Sequence, residues 1–206
     1  MGKGPVHPNP ELFYVEKTGD GANLIRPKTL MTNNARVRAI LETAPVLAGA
    51  SLEGKDIEEF KENALAFLDS WSGHEKPSPA FNGEIVLAGR LTFEHVTEPK
   101  NSESNQIRRL KLIPRARTIL EKVGHVECYR PDSEGGPTFS LVGRFADGQA
   151  VRVIVQKVRD EAKTFYSVFD IDDAGIKMPS AFGGEGLPTD SLDSEGGSVK
   201  GTLQLT

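Results

Sequence analysis

Along this chain of 206 residues, apolar positions recur at two different periods. From Ile57 to Trp71, the residues Ile57, Phe60, Ala64, Phe67, Leu68 and Trp71 return at helical spacing, so they share one stripe of an amphipathic helix. Asp56 followed by Glu59 fits a capping box with Asp in place of Ser or Thr, and Trp71 reads as a core anchor. A shorter helix is predicted to start at Thr32 or Asn33 and run through about Ala44, with Val37, Ile40 and Leu41 on one face and Pro45 ending or interrupting it. From Asn105 to Val123 the helical period returns through Ile107, Leu110, Ile113, Ala116, Ile119 and Leu120, closed by Gly124. Pro114 either kinks this helix or starts a second one, since proline is favoured in a first turn.

The other period is that of strands. "EIVLAGRLTFEHV" (residues 84–96) reads as two short strand-like runs hinged at Gly89, the second ending at the titratable pair Glu94 and His95. After a polar loop and the Asn105 helix, a short run over Val126–Arg130 is followed by "TFSLVGRF", "AVRVIVQKV" and "KTFYSVFDI" at near-even spacing, joined by "ADGQ" and "RDEA". Asp147-Gly148 is a strong hairpin signal, and alternation sets Val151, Val153 and Val155 against Arg152, Ile154 and Gln156 on opposite faces. Helices followed by an antiparallel meander make an α+β chain, with N-terminal helices and then a basic helix packed on the sheet. Residues 1–30 are rich in proline and lack either period, and read as an extended arm; 31–80 form a helical N-terminal region. The Pro- and Gly-containing segment Ser72–Gly83 reads as a linker and domain boundary, 83–172 as the α+β domain, and 173–206 as a flexible acidic tail.

Composition narrows the function. Hydrophobic residues make up 37% of the chain, below the usual ~45–50% that counts glycine, so much of it is loop or tail. The single cysteine, Cys128, excludes an internal disulfide. The four histidines, His7, His74, His95 and His125, are far apart with no i, i+4 pair, so no metal site is predicted. No Gly-rich loop lies between a strand and a helix, and no cofactor is predicted. The N-terminus lacks an apolar stretch long enough for a signal peptide and no window approaches a membrane span, so the chain is expected to be cytoplasmic or virion-associated, with no membrane partner.

The net charge of −4 hides an asymmetry. Arg108, Arg109, Lys111, Arg115, Arg117, Lys122 and Arg130 face only Glu121 and Glu127 between residues 105 and 130, whereas residues 170–206 are strongly acidic. The basic segment is the candidate anion surface, although a charge run of this kind, Arg108, Arg109 and Lys111 in particular, is more often a solvated helix face. His95 is read either as a surface residue or as a member of a site. With Glu94, the basic helix and Lys163, Thr164, Tyr166 and Ser167 of the last strand, it makes up the inventory that metal-free RNA cleavage needs. A base takes the 2′-hydroxyl proton, an acid protonates the leaving oxygen, and fixed cations or hydroxyls stabilise the phosphorane.

The order from Gly83 to Asp170, "LTFEHVTE", "RRLKLIPRARTILEKVGHVECY", "FSLVGRF", "VRVIVQKV" and "KTFYSVFDI", resembles the phage-associated branch of the Barnase, EndoU, colicin and RelE-like nuclease superfamily. The resemblance covers about 90 residues and implies a sheet whose concave face carries metal-independent endoribonuclease chemistry. By that analogy His95 takes the acid/base role, Arg109 or Lys157 holds phosphate, and Thr164 or Tyr166 supplies a hydroxyl. The residue inventory adds Glu94 as a catalytic candidate and Arg108, Lys111, Lys163 and Ser167 as candidate RNA contacts. A second expectation is a non-catalytic phage structural or accessory protein tied into an assembly by its arms. A third is a toxin held by an inhibitory partner, or by its own acidic tail laid over the basic helix.

Overall fold

The computed structural model describes residues 4–133, 135–157 and 162–171. The chain folds as α+β. Strands β1 (Phe13–Lys17) and β2 (Asn23–Pro27) precede helices α1 (Asn33–Thr43), α2 (Ile57–Trp71), α3 (Arg90–Val96), α4 (Glu103–Lys111) and α5 (Ile113–Lys122). Strands β3 (Cys128–Arg130), β4 (Thr138–Arg144), β5 (Ala150–Lys157) and β6 (Lys163–Ile171) follow, and these four form an antiparallel sheet in chain order.

Helix α2 starts where the capping pattern places it. The Asp56 carboxylate accepts from the Glu59 N–H at 3.0 Å, while the Glu59 carboxylate reaches back to the Lys55 N–H. Phe60, Ala64, Leu68 and Trp71 are its buried stripe. The 105–123 run is two helices meeting at Leu112, with Pro114 in the first turn of α5, where its missing N–H costs nothing. The Asp147-Gly148 turn joins β4 to β5, with Gly148 at a φ of +87°. Helix α5 ties that turn down, because the Arg115 guanidinium donates to both Asp147 carboxylate oxygens and to Gln149 Oε1.

Both faces of the sheet are covered. Phe139, Leu141, Val151, Val153, Val155, Phe165 and Val168 pack with the helices in one core, while Val142 on the other face packs with Phe13, Ile25, Val37 and Ile40. Gly143 allows close helix–sheet approach, since a Cβ there would lie 2.8 Å from Leu47 Cδ1 and 3.0 Å from Ile119 Cγ1.

Three expectations need correction. Residues 13–27 are a β-hairpin, not an extended arm: Val15 pairs with Ile25 across a turn in which Gly21 has a φ of +76°, and Phe13 and Ile25 are buried against α1. Ser72–Gly83 is not a linker between domains, because Ala80 and Phe81 are fully buried in the core that also holds Trp71 and Phe139. In the 84–96 run only the first half is extended, where Leu87 exchanges backbone hydrogen bonds with Lys163 and Phe165 of β6. The second half is α3, so Glu94 and His95 lie on a helix. Arg90 and Glu94 pair at i, i+4, and the Thr92 hydroxyl donates to the Phe165 carbonyl, anchoring the helix on β6. The tail from residue 173 lies outside the described residues. Among the described residues no helix is long and apolar enough to cross a membrane.

His125, 1% exposed, links this packing to pH. Burial, with a smaller contribution from His7, pushes its pKa down to about 3. The unfolded chain binds that proton more readily, so the stability is intact above pH 6.5 and is lost as pH falls toward 3. From pH 6.5 to 4 the loss is expected to be about 3 kcal/mol at 1.36 kcal/mol per pH unit. Urea unfolding across this range should show the loss in the native chain and a correspondingly shallower slope in His125→Asn. Equal slopes would show that the buried imidazole is not responsible.

Candidate functional site

The residues that come together lie where α3 and α4 meet the edge strand β6. Between β5 and β6 the register skips one residue: Ser167 faces Ile154 and Phe165 faces Val155, leaving Tyr166 as the extra residue of a bulge. Bulges re-aim side chains at sheet edges. Here the Tyr166 ring stacks on His95, with centroids 4.0 Å apart and planes at 28°.

His95 sits in the last turn of α3 and is 8% exposed. Its Nδ1 lies 3.2 Å from Glu98 Oε1, and Lys100 Nζ lies 2.5 Å from the other Glu98 oxygen. A neutral imidazole beside a carboxylate carries its proton on the facing nitrogen, so Nδ1–H donates to Glu98 and Nε2 keeps the basic lone pair. Burial lowers the His95 pKa first of all; Glu98 raises it in opposition, and Arg109 and Lys100 lower it further. Lys100, with His95, holds the Glu98 carboxyl below its ordinary range against its burial.

Arg109, on α4 and 5% exposed, lays its guanidinium 4.3 Å from the centroid of the Phe169 ring. Burial lowers its pKa, opposed by Glu98 and Tyr166, and a guanidinium stays charged regardless. Burial raises the Tyr166 pKa and Glu98 adds to that, so the phenol keeps its proton and remains a donor. Thus a carboxylate-held imidazole, a protonated phenol and a buried guanidinium share one edge of the sheet.

Of the sequence-predicted site residues, His95, Tyr166 and Arg109 belong here. Glu94 does not: it points away and pairs with Arg90 at 3.0 Å, and Glu98 takes the place assigned to it beside the imidazole. Arg108 pairs with Asp170 at 2.6 Å, and Lys111 lies 5.1 Å from the Phe60 ring centroid. Thr164 lies in the ladder opposite Gln156, beside the Leu87 bridge. Ser167 is fully buried, with no hydrogen-bond partner for its hydroxyl, and no solute on the surface reaches it.

Lys157 and Lys163 form a separate cluster at the other end of β5 and β6. Lys157 pairs at 3.1 Å with Asp20 in the β1–β2 turn, and the same carboxylate accepts from the Tyr129 hydroxyl. Lys163, itself buried, pairs with Glu84 and lies 5.3 Å from the Phe81 ring centroid. The Tyr129 hydrogen bond, followed by Lys157, keeps the Asp20 carboxyl below its usual range, while the bond to Asp20 pushes the Tyr129 pKa up to about 12. Lys157 fastens the hairpin to the sheet, Lys163 fastens the segment before α3 to β6, and neither is free for an anion. The same is true of Arg115 and Arg117, paired with Asp147 and Glu121.

Glu98 is not among the sequence-predicted residues because it falls in the polar loop expected after Val96. It lies just past the Thr97 C-cap of α3, and the His95–Glu98 i, i+3 spacing across that helix end is the signal the sequence holds. No protein-family model, curated protein or solved structure matches the chain.

Proposed function

We propose that the protein is a metal-independent endoribonuclease-like domain of phage or toxin type, cutting single-stranded RNA at the His95–Tyr166–Arg109 edge. The observation that carries this reading is the His95 ring, held through Nδ1 by Glu98 and stacked on Tyr166. His95 Nε2 takes the proton from a ribose 2′-hydroxyl, and the 2′-oxygen attacks phosphorus. The P–O5′ bond breaks as the Tyr166 phenol protonates the leaving oxygen and is reprotonated from solvent. Arg109 offsets the charge of the phosphorane. The products are a 2′,3′-cyclic phosphate and a 5′-hydroxyl. The low exposure of His95 and Arg109 suits one extended strand rather than a duplex.

The test uses the full chain, a labelled single-stranded RNA and its all-deoxy counterpart, with EDTA present. The RNA is expected to be cut to cyclic-phosphate ends and the DNA to stay intact. RNA left whole, or DNA cut equally, would discard the 2′-hydroxyl mechanism.

A second reading, a non-catalytic phage structural or accessory protein, is favoured by a different observation. Ile85, Leu87 and Leu91 are exposed beside the start of β6. They could serve contact with an assembly or with an inhibitory partner. A strictly monomeric protein with RNA-cleaving activity would remove the need for it.

A further inference from the structure

His7 and His125 are remote in sequence, yet their ring centroids lie 6.0 Å apart with planes tilted by 34°. His125 is almost wholly buried, and neither of its ring nitrogens has a hydrogen-bond partner. The Val6 backbone favours a proton on the ring but does not reach hydrogen-bond geometry. Each buried polar group left unpaired costs about 1–3 kcal/mol, so two on one imidazole require an explanation.

The surroundings hold the pair in place. The Val6 N–H donates to Lys122 O at 2.8 Å and the Gly124 N–H donates to Val6 O at 3.0 Å, which fastens the segment carrying His7 beside the loop carrying His125. The His7 ring occupies the space over Gly124, where a Cβ would lie 2.3 Å from the ring Cε1. Only glycine at 124 admits the ring in that position.

We propose that His7 and His125 bind a divalent transition-metal ion, Zn²⁺ or Cu²⁺, between their imidazoles. Metal–imidazole bonds of about 2.0–2.1 Å put the centroids of two rings on one ion about 5.2 Å apart at a tetrahedral angle, so from the observed 6.0 Å the exposed His7 ring closes on His125 by a little under ~1 Å when the ion binds. Imidazole suits both ions, with Cu²⁺ the tighter. Burial keeps His125 neutral, the form a metal requires. No third His, Cys, Asp or Glu completes a cluster among the described residues, so water takes the remaining positions and the ion is exchangeable. The ion would staple the N-terminal segment to the loop before β3, away from the His95 edge.

The full chain, stripped with EDTA and dialysed, is titrated with ZnCl₂ and with CuCl₂ by calorimetry. One equivalent of each ion is expected to bind. His7→Ala removes an exposed side chain and leaves the core intact; it should weaken both ions at least about tenfold, whereas His74→Ala should bind as the native chain does. The Cu²⁺ electron paramagnetic spectrum should show two coupled imidazole nitrogens in the native chain and one in His7→Ala. Absence of binding, or unchanged affinity and spectrum in His7→Ala, would overturn the proposal and leave a buried water as the partner of His125.

Discussion

Replacing His95 by alanine is expected to slow RNA cleavage by about 10²–10⁴-fold, the usual worth of a positioned general base. Gel-based or fluorogenic cleavage assays measure this directly, and circular dichroism separates it from unfolding, since the imidazole also packs on Tyr166. Glu98→Gln tests the positioning role. Its amide can donate where the carboxylate only accepts, which favours the wrong imidazole tautomer, so a loss of about 10²-fold or more is expected. The pH profile adds a readout that packing alone would not move. Burial lowers the His95 pKa, so the acid limb of kcat/KM should lie below the ordinary value near 6.5. Glu98 raises that pKa, so in Glu98→Gln the acid limb should move to still lower pH. Tyr166→Phe keeps the stack and removes the donor, and a selective fall in kcat is its expected signature. Native-like cleavage by His95→Ala would end the proposal for this edge.

The largest stability effect is expected at Glu127, buried against the face of the sheet that carries Ser140 and Arg152. It is 2% exposed and serves three partners: Arg152 at 3.2 Å, the Ser140 hydroxyl at 3.0 Å and Arg36 at 3.1 Å. Arg152 is as deeply buried as the carboxylate. Glu127→Gln keeps the volume but leaves an uncompensated guanidinium inside the fold, and removing one partner of a buried pair costs about 3–5 kcal/mol. Glu94→Gln breaks the exposed Arg90–Glu94 pair and should cost no more than about 1 kcal/mol. Urea midpoints of the two variants measure the contrast. Similar midpoints would mean that the Glu127 network adds no more than a surface pair does.

The stripe of α2 and the alternation of β4 to β6 are legible because hydrophobic periodicity is a property of neighbouring residues, and each element carries enough repeats to decide its type. The seven residues of α3 are too few for that, and a short apolar run fits either period. The β1–β2 hairpin has a turn signal in Gly19-Asp20-Gly21, but its flanking strands are too short to show a period of their own.

The site was half visible. His95, Arg109 and Tyr166 are legible by residue type, whereas Glu98 meets His95 only because α3 ends between them, and Tyr166 reaches His95 only through a bulge. The basic segment is legible in the sequence as charge but not as pairing: Arg108, Arg115 and Arg117 are held by Asp170, Asp147 and Glu121.

By itself, the sequence determined the α+β order, the principal helices and the meander, since local patterns of burial select helix or strand. The tertiary structure alone decided which charges are spent on structure and which are left to chemistry. Ion pairing and desolvation depend on residues brought together across long stretches of chain, and no spacing along the sequence encodes those distances.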